Sequence, residues 1–231
     1  MKKIIPDLII IACLVIMAIF VKRTLDGTMA YASAQDGYLS AYSEAVDKTT
    51  HNINFTAVRA AGAPSSSWIY ILDTHIDYPL VQVPDNATYL KKDAYGADST
   101  SGAIFINFAN NADMSDPKTI IFGHSMKDGT MFHDLHKYEK DDWGKTHSTA
   151  YIYLDNGEKI AYHLLCCITT TADDKEIYMT SGREDTKATA EILLKKADVA
   201  YSDAGTGNII CLSTCIKDLR RCVVAFQADA P

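Results

Sequence analysis

Residues 209–224 read IICLSTCIKDLRRCVV, and this stretch decides the fold because it describes a strand, a short loop and a returning strand. One apolar run ends at Cys215, and a second apolar run follows Arg221. A symmetric antiparallel hairpin would pair Cys215 with Arg221 and Ser213 with Val223, and directly paired residues share a face of the sheet. The sequence therefore predicts a thiol beside a guanidinium at the end of a hairpin.

Another apolar run, earlier in the chain, ends close to a histidine. Residues 119–125 read TIIFGHS, so a strand delivers His124 past a glycine. If this strand neighbours the cysteine strand, the two side chains meet at one rim, and an imidazole can activate a thiol nucleophile and protonate a leaving amine. Arg221 could then donate hydrogen bonds to an oxyanion, and a one-residue slip of the hairpin would bring Arg220 there instead. The alternative interpretation is that Cys215 is a small hydrophobic core residue.

Strand patterns recur along the chain and are more frequent than helical ones. Eight short stretches rich in β-branched and aromatic residues are 68–72, 80–83, 103–108, 118–122, 149–154, 159–168, 208–212 and 222–226. Residues 131–138 and 186–201 have helical spacing. Eight strands with few helices between them predict a mainly β protein, a closed antiparallel or mixed barrel.

The N-terminus predicts export. Residues 8–21 are uninterruptedly apolar, with Lys2 and Lys3 before them and Lys22 and Arg23 after them. We interpret residues 1–23 as a membrane anchor, or alternatively as a cleaved signal, because residues 32–34 read ASA. Residues 24–62 are then a helical extension, with a helix over 36–48 starting at an Asp36 cap, and residues 63–231 form the catalytic domain.

Composition and residue spacing exclude several classes of protein. The net charge of −7 and the absence of a Lys/Arg block argue against a nucleic-acid partner. Six cysteines without a C-x-x-C pair suggest neither a disulfide framework nor a zinc knuckle. His133 and His136 lie three residues apart but lack the H-E-x-x-H pattern, and Asp77, Asp85 and Asp98 lack a calcium-loop pattern and are interpreted as solvated loop carboxylates. We predict no metal and no cofactor.

Motifs in the chain resemble those of sortases. Residues 212–215 (LSTC) with 221–224 (RCVV) resemble the sortase signature L-S-T-C followed by R-x-V-V, and residues 122–126 (FGHSM) resemble the histidine motif. Further stretches resemble class B sortases: WIYI at 68–71, IDYPLVQ at 76–82, DN at 85–86 with YL at 89–90, and DGTMF at 128–132 with Leu135. The resemblance covers about residues 68–228, most of the chain after the apolar N-terminal run.

The resemblance implies the eight-stranded sortase barrel, with an N-terminal helical extension and a helix at 186–201 before the cysteine strand. By position, Cys215 would be the nucleophile, His124 the general acid and base, and Arg221 the oxyanion or carbonyl donor. Ser213 and Thr214 would line the substrate groove. One departure is that only residues 216–220 separate Cys215 from Arg221, fewer than in many class B members, which bears on the depth of the groove.

A sortase-like activity would link exported proteins covalently to an acceptor. Sortases cleave a C-terminal sorting signal, hold the new C-terminus as a thioester and pass it to an amine. The implied partners are the sorting-signal peptide, an amine of a peptidoglycan precursor or of another protein, and the membrane of a Gram-positive cell. Three alternatives stand beside it: a cysteine peptidase that transfers the acyl group to water, a peptidoglycan L,D-transpeptidase, which would require S-H-G-C around the thiol, and a non-catalytic surface binding module.

Overall fold

The computed structural model describes residues 4–182, 184–216 and 220–230, and the chain divides into two compact units, Met1–Ser40 and Ala41–Pro231. Helix α1 (Ile4–Ala45) begins in the first unit, where the large apolar side chains from Ile10 to Val21 are exposed. No helix within the described residues combines the length and apolar character needed to span a membrane.

Helix α1 runs through Asp36 without interruption, so the predicted helix start at that residue was wrong. Residues 7–35 contain no proline and several alanines. Alanine has the highest helix propensity, and nothing in this segment terminates the helix.

Eight strands form a closed barrel, in the order β5-β1-β2-β3-β4-β8-β9-β6, and pairing of β5 with β6 completes the ring. Their bounds are β1 Ser65–Ile71, β2 Asp77–Val81, β3 Phe105–Ile106, β4 Lys118–Phe122, β5 Thr149–Leu154, β6 Lys159–Thr171, β8 Ile209–Cys215 and β9 Arg220–Ala228. Two pairs, β2 with β3 and β4 with β8, are parallel, and the other pairs are antiparallel. The predicted mixed barrel of eight strands is confirmed.

The sequence did not predict a ninth, two-residue strand, β7 (Val199–Ala200), which pairs with β6 outside the ring. The helix predicted over residues 186–201 is α5 (Thr186–Lys195), shorter than expected. The chain leaves the helix because Asp198 turns to the sheet. Its backbone N–H donates to Cys167 O at 3.0 Å, and its carboxylate accepts from the backbone N–H of Thr169 at 2.6 Å.

The remaining helices are short and lie in the connections between strands. They are α2 (Phe55–Ala60), α3 (Asp141–Thr146), α4 (Lys175–Tyr178) and the 3-10 helices η1 (Thr88–Leu90) and η2 (His133–Glu139). Helix η2 occupies most of the stretch 131–138 that was predicted as helical, but it begins two residues later and has the tighter 3-10 winding.

Asp77 lies in strand β2 and is largely buried, so its interpretation as a solvated loop carboxylate was wrong. Tyr42 Oη and Trp68 Nε1 each donate to this carboxylate at 2.6 Å, and His51 Nε2 lies 3.3 Å from it. Burial raises the pKa of Asp77, although these neighbours act to lower it. The three partners come from distant parts of the chain, which local sequence patterns do not reveal.

Candidate active site

The β8–β9 hairpin has the predicted register. Cys215 pairs with Arg221, Ser213 with Val223, and Cys211 with Ala225. The Cys215 sulfur is exposed, and Nη1 of Arg221 donates to it. The guanidinium carries a permanent positive charge and lies directly against the sulfur.

His124 follows strand β4, which lies parallel to β8. Phe122 pairs directly with Ser213, and the Gly123 backbone N–H donates to Ser213 O at 3.2 Å. Parallel strands carry their carboxyl ends to the same edge, so His124 and Cys215 both lie two residues beyond this pair. Both side chains and Arg221 line one cavity.

Contacts on two sides fix the position of the His124 imidazole. Its Nε2 lies 2.9 Å from Leu90 O, and because a carbonyl only accepts, Nε2 donates and carries a proton. Nδ1 is therefore the nitrogen that remains for proton exchange. Gly102 has φ of +61°, and a Cβ at this position would lie 2.5 Å from Tyr89 O and 3.0 Å from His124 Cδ2.

Known proteins that are similar to this chain include sortase B proteins. Sortase B of Listeria monocytogenes serovar 1/2a is 35% identical over 153 residues, 64% of this chain and 61% of the relative. Sortase B of Staphylococcus aureus is 30% identical over 154 residues, 64% of this chain and 62% of the relative. The crystal structure of sortase B from B. anthracis in complex with AAEK1 has a TM-score of 0.76 at 26% identity, covering 88% of this chain and all of that one.

The chain is therefore similar to sortase B proteins in both sequence and fold. No protein-family model matches it. Its match spans about three fifths of the length of the curated sortase B relatives.

The cavity has a volume of about 530 Å³ and opens beside Cys215. Pockets that hold small peptides and ligands have volumes in this range. Its apolar lining includes Leu90, Phe108 and Met179, three large hydrophobic side chains that are 41%, 57% and 46% exposed. These exposed apolar side chains provide a surface that an extended peptide can cover.

Ser213 and Thr214, the predicted substrate-binding residues, both line the cavity. Both are buried. Ser213 Oγ is hydrogen-bonded to Tyr178 Oη at 2.9 Å, and burial raises the pKa of Tyr178 to about 12, so this phenol is neutral at physiological pH. The Thr214 hydroxyl has no hydrogen-bond partner among the described residues. Ser213 and Tyr178 therefore form a hydrogen-bonded pair in the wall of the cavity.

The other cysteines of the barrel differ from Cys215 in exposure. Cys166, Cys167, Cys211 and Cys222 are buried. Burial raises the pKa of Cys211 to about 11, so its thiol is protonated and unreactive near neutral pH. Cys215 is therefore the exposed cysteine of the described barrel, and the four other cysteines are buried.

Two contributors to the site were not predicted from the sequence. Tyr178 comes from the short helix α4, and Leu90 supplies a backbone carbonyl from η1. For Leu90, the only signal in the sequence was its place in the YL pair at residues 89–90 that resembles class B sortases. Nothing in the sequence around Tyr178 indicated its proximity to Ser213.

The remaining candidate metal ligands of the sequence fall into separate groups. Asp85 accepts from the backbone N–H groups of Ala87 and Thr88 at 2.7 Å, and Asp98 pairs with Lys92 at 3.1 Å. Both carboxylates are exposed. His133 and His136 lie on η2, where both rings contact Ser125 Oγ. The absence of a metal remains a prediction of the sequence.

Proposed function

We propose that this chain is a sortase-type cysteine transpeptidase that uses Cys215 as nucleophile, His124 as general acid and base, and Arg221 as oxyanion donor. One observation carries the assignment: an exposed sulfur in contact with a guanidinium, in a cavity that an imidazole also lines. Similarity to sortase B proteins supports the same chemistry.

In the first half-reaction, the Cys215 thiolate attacks the carbonyl carbon of the scissile peptide bond. A carbon–sulfur bond forms, and the carbonyl electron pair moves to oxygen, where Arg221 N–H groups donate hydrogen bonds. The His124 imidazolium protonates the amide nitrogen as the carbon–nitrogen bond breaks. The products are an acyl thioester on Cys215 and a released peptide with a free amine.

In the second half-reaction, an acceptor amine attacks the thioester and gives a proton to His124. A new amide bond forms, and the Cys215 thiolate leaves. The acyl donor would be the C-terminal sorting signal of an exported protein, and the acceptor an amine of a peptidoglycan precursor or of another protein. The open, partly apolar cavity supports a peptide as donor.

Incubation of the full chain with a sorting-signal peptide, with and without an amine acceptor, tests the proposal by mass spectrometry. We expect a ligated product only with the acceptor and a thioester adduct on Cys215. Cys215→Ala should abolish both, whereas Cys211→Ala, which removes a buried thiol of the same strand, should retain them. Product formation by Cys215→Ala would contradict the assignment, and release of acid alone in the presence of amine would favour a cysteine peptidase.

The apolar N-terminal run supports placement of the enzyme at the cell membrane with the catalytic domain outside the cytoplasm. Large apolar side chains from Ile10 to Val21 are 49% to 70% exposed, which is the surface that lipid would cover. Carbonate extraction of cells expressing the full chain should leave it in the membrane fraction. Leu14→Asp with Ile16→Asp should release it, because charges are costly within a bilayer. Equal extraction of both proteins would contradict the anchor.

A further inference from the structure

Three metal-ligating side chains, His136, Glu139 and Cys222, meet where helix η2 packs against strand β9, and a fourth, Cys167 of β6, lies next to Cys222. His136 and Glu139 lie on η2, Cys222 lies on β9, and Cys167 lies on β6. The ligand atoms of His136, Glu139 and Cys222 all lie within 4.8 Å of one another, and the sulfurs of Cys167 and Cys222 are 3.9 Å apart.

The separation of the two sulfurs suits a shared metal ion. With a zinc–sulfur bond of about 2.3 Å, the edge of a tetrahedron between two sulfurs is about 3.8 Å. A disulfide fits less well, because Cys167 pairs with Val224 and Cys222 pairs with Thr169. The two cysteines are thus diagonal neighbours on adjacent strands, with Cα atoms about 7–8 Å apart, beyond the usual span of a disulfide.

Within the described part of the chain, one ring nitrogen of His136 has a hydrogen-bond partner and the other has none. Its Nε2 is 2.8 Å from Ser125 Oγ, whereas its Nδ1 is buried and has no hydrogen-bond partner among the described residues. Buried polar atoms without a partner are rare and call for an explanation. Metal-binding histidines typically use one ring nitrogen as ligand while the other donates to a neighbouring oxygen, which fixes the ring.

We propose that His136, Glu139, Cys167 and Cys222 bind one zinc ion. Two sulfurs, one imidazole and one carboxylate form a donor set typical of Zn²⁺, and softer ligands of this kind disfavour Mg²⁺ and Ca²⁺. His136, Glu139 and Cys222 are already grouped, and Cys167, beside Cys222, would complete a tetrahedron by moving toward the ion, which would then serve a structural role. It links η2 to two barrel strands, and through Ser125 it supports the segment that directly follows His124.

Cobalt titration tests the site, because thiolate-to-cobalt charge transfer and visible d–d bands report a tetrahedral thiolate site. The full chain is used in reduced, metal-free form with Cys13→Ser and Cys215→Ala, which remove its two exposed thiols. We expect one equivalent of Co²⁺ to produce both bands and Zn²⁺ to displace it. Cys222→Ser should lose the charge-transfer intensity of that ligand, and Glu139→Gln should weaken affinity by about tenfold or more.

Cys166→Ser provides the matched control, because it removes the neighbouring buried thiol of β6 and should leave cobalt binding unchanged. Circular dichroism verifies the fold of each variant, and Glu139→Gln, at an exposed position, decides the test if Cys222→Ser unfolds. Absence of the charge-transfer band in the parent chain would overturn the proposal. Unchanged affinity in Glu139→Gln, or a Cys167–Cys222 disulfide in non-reduced peptide maps, would do the same.

Discussion

Phe122 of β4 and Ser213 of β8 are direct partners in a parallel ladder, and this pairing aligns the two ends that carry His124 and Cys215. The two strands run in the same direction, so the residues that follow them lie at the same rim of the barrel. The antiparallel partner β9 returns Arg221 to the same place. Three reactive side chains are thus brought together by strand pairing.

Variants of Arg221 and Arg220 distinguish a specific oxyanion donor from a general effect of positive charge. Arg221 contacts the Cys215 sulfur, whereas Arg220 is exposed and does not line the cavity. Arg221→Ala should lower kcat/KM for sorting-peptide cleavage by about 10²–10³, the usual cost of an oxyanion donor. Arg220→Ala should stay within about twofold, since surface charges contribute little. Equal losses in both variants, measured by steady-state kinetics, would contradict the role of Arg221.

Gly123→Ala should disturb the segment that delivers His124. A Cβ at this position would lie 2.4 Å from Ile104 Cδ1 and 2.8 Å from Phe132 Cδ2, and both neighbours are buried. We expect a loss of about 1–3 kcal/mol in the free energy of unfolding, as for other overpacked sites, together with reduced activity. Gly27→Ala, where no atom lies within 4 Å, is the control and should not destabilise the barrel. Urea denaturation measures both, and an unchanged midpoint for Gly123→Ala would argue against close packing there.

The hydrogen bond between Tyr178 and Ser213 should be measurable as a coupling energy. Each single variant, Tyr178→Phe and Ser213→Ala, removes one partner of a 2.9 Å bond and leaves the other partner unpaired in the cavity wall. We expect each to cost about 1 kcal/mol, and the double variant to cost less than the sum by about 0.5–1.5 kcal/mol. Additive costs in the double-mutant cycle would show that the two hydroxyls are energetically independent.

Acid should weaken the attachment of α4 through Asp174. Burial raises the pKa of this carboxyl, but hydrogen bonds from Thr170 and Lys196 outweigh burial and hold the pKa below its ordinary value. A lowered pKa in the folded state stabilises the fold above the unfolded value, about 3.9, and this contribution disappears as pH falls through the folded value.

Asp174→Asn should therefore flatten the loss of stability below about pH 4, measured as the free energy of unfolding against pH. Asp98→Asn removes an exposed carboxylate of a surface ion pair and should keep the wild-type slope. If Asp174→Asn also keeps that slope, Asp174 does not contribute to acid sensitivity.

Local patterns were sufficient to predict the barrel strands and the hairpin register. Apolar alternation marks each strand, and the short connection between Cys215 and Arg221 leaves little freedom for the pairing. The same patterns overextended α5, because its last residues have helical spacing but are drawn into a strand by pairing with β6. A pairing between distant strands decides that boundary, and a local window does not contain it.

The parts of the site that escaped prediction depend on side chains from distant elements. Leu90 O holds His124, and its contribution comes from the backbone, which leaves no trace in residue type. His136 has no metal-binding pattern in the sequence because Cys222 approaches it only through the packing of η2 on β9. Asp77 was interpreted as a loop carboxylate because its hydrogen bonds from Tyr42 and Trp68 are not evident from the sequence.

The order of the strands along the chain has a consequence for biogenesis. His124 is synthesised well before Cys215, and the strand bearing Arg221 follows both. A partly synthesised chain thus contains an imidazole without its sulfur, and the ring of strands stays open until β8 and β9 connect β4 to β6. Pairing over such long separations forms late in folding. The proposed active site would therefore stay incomplete until the last two strands of the barrel are in place.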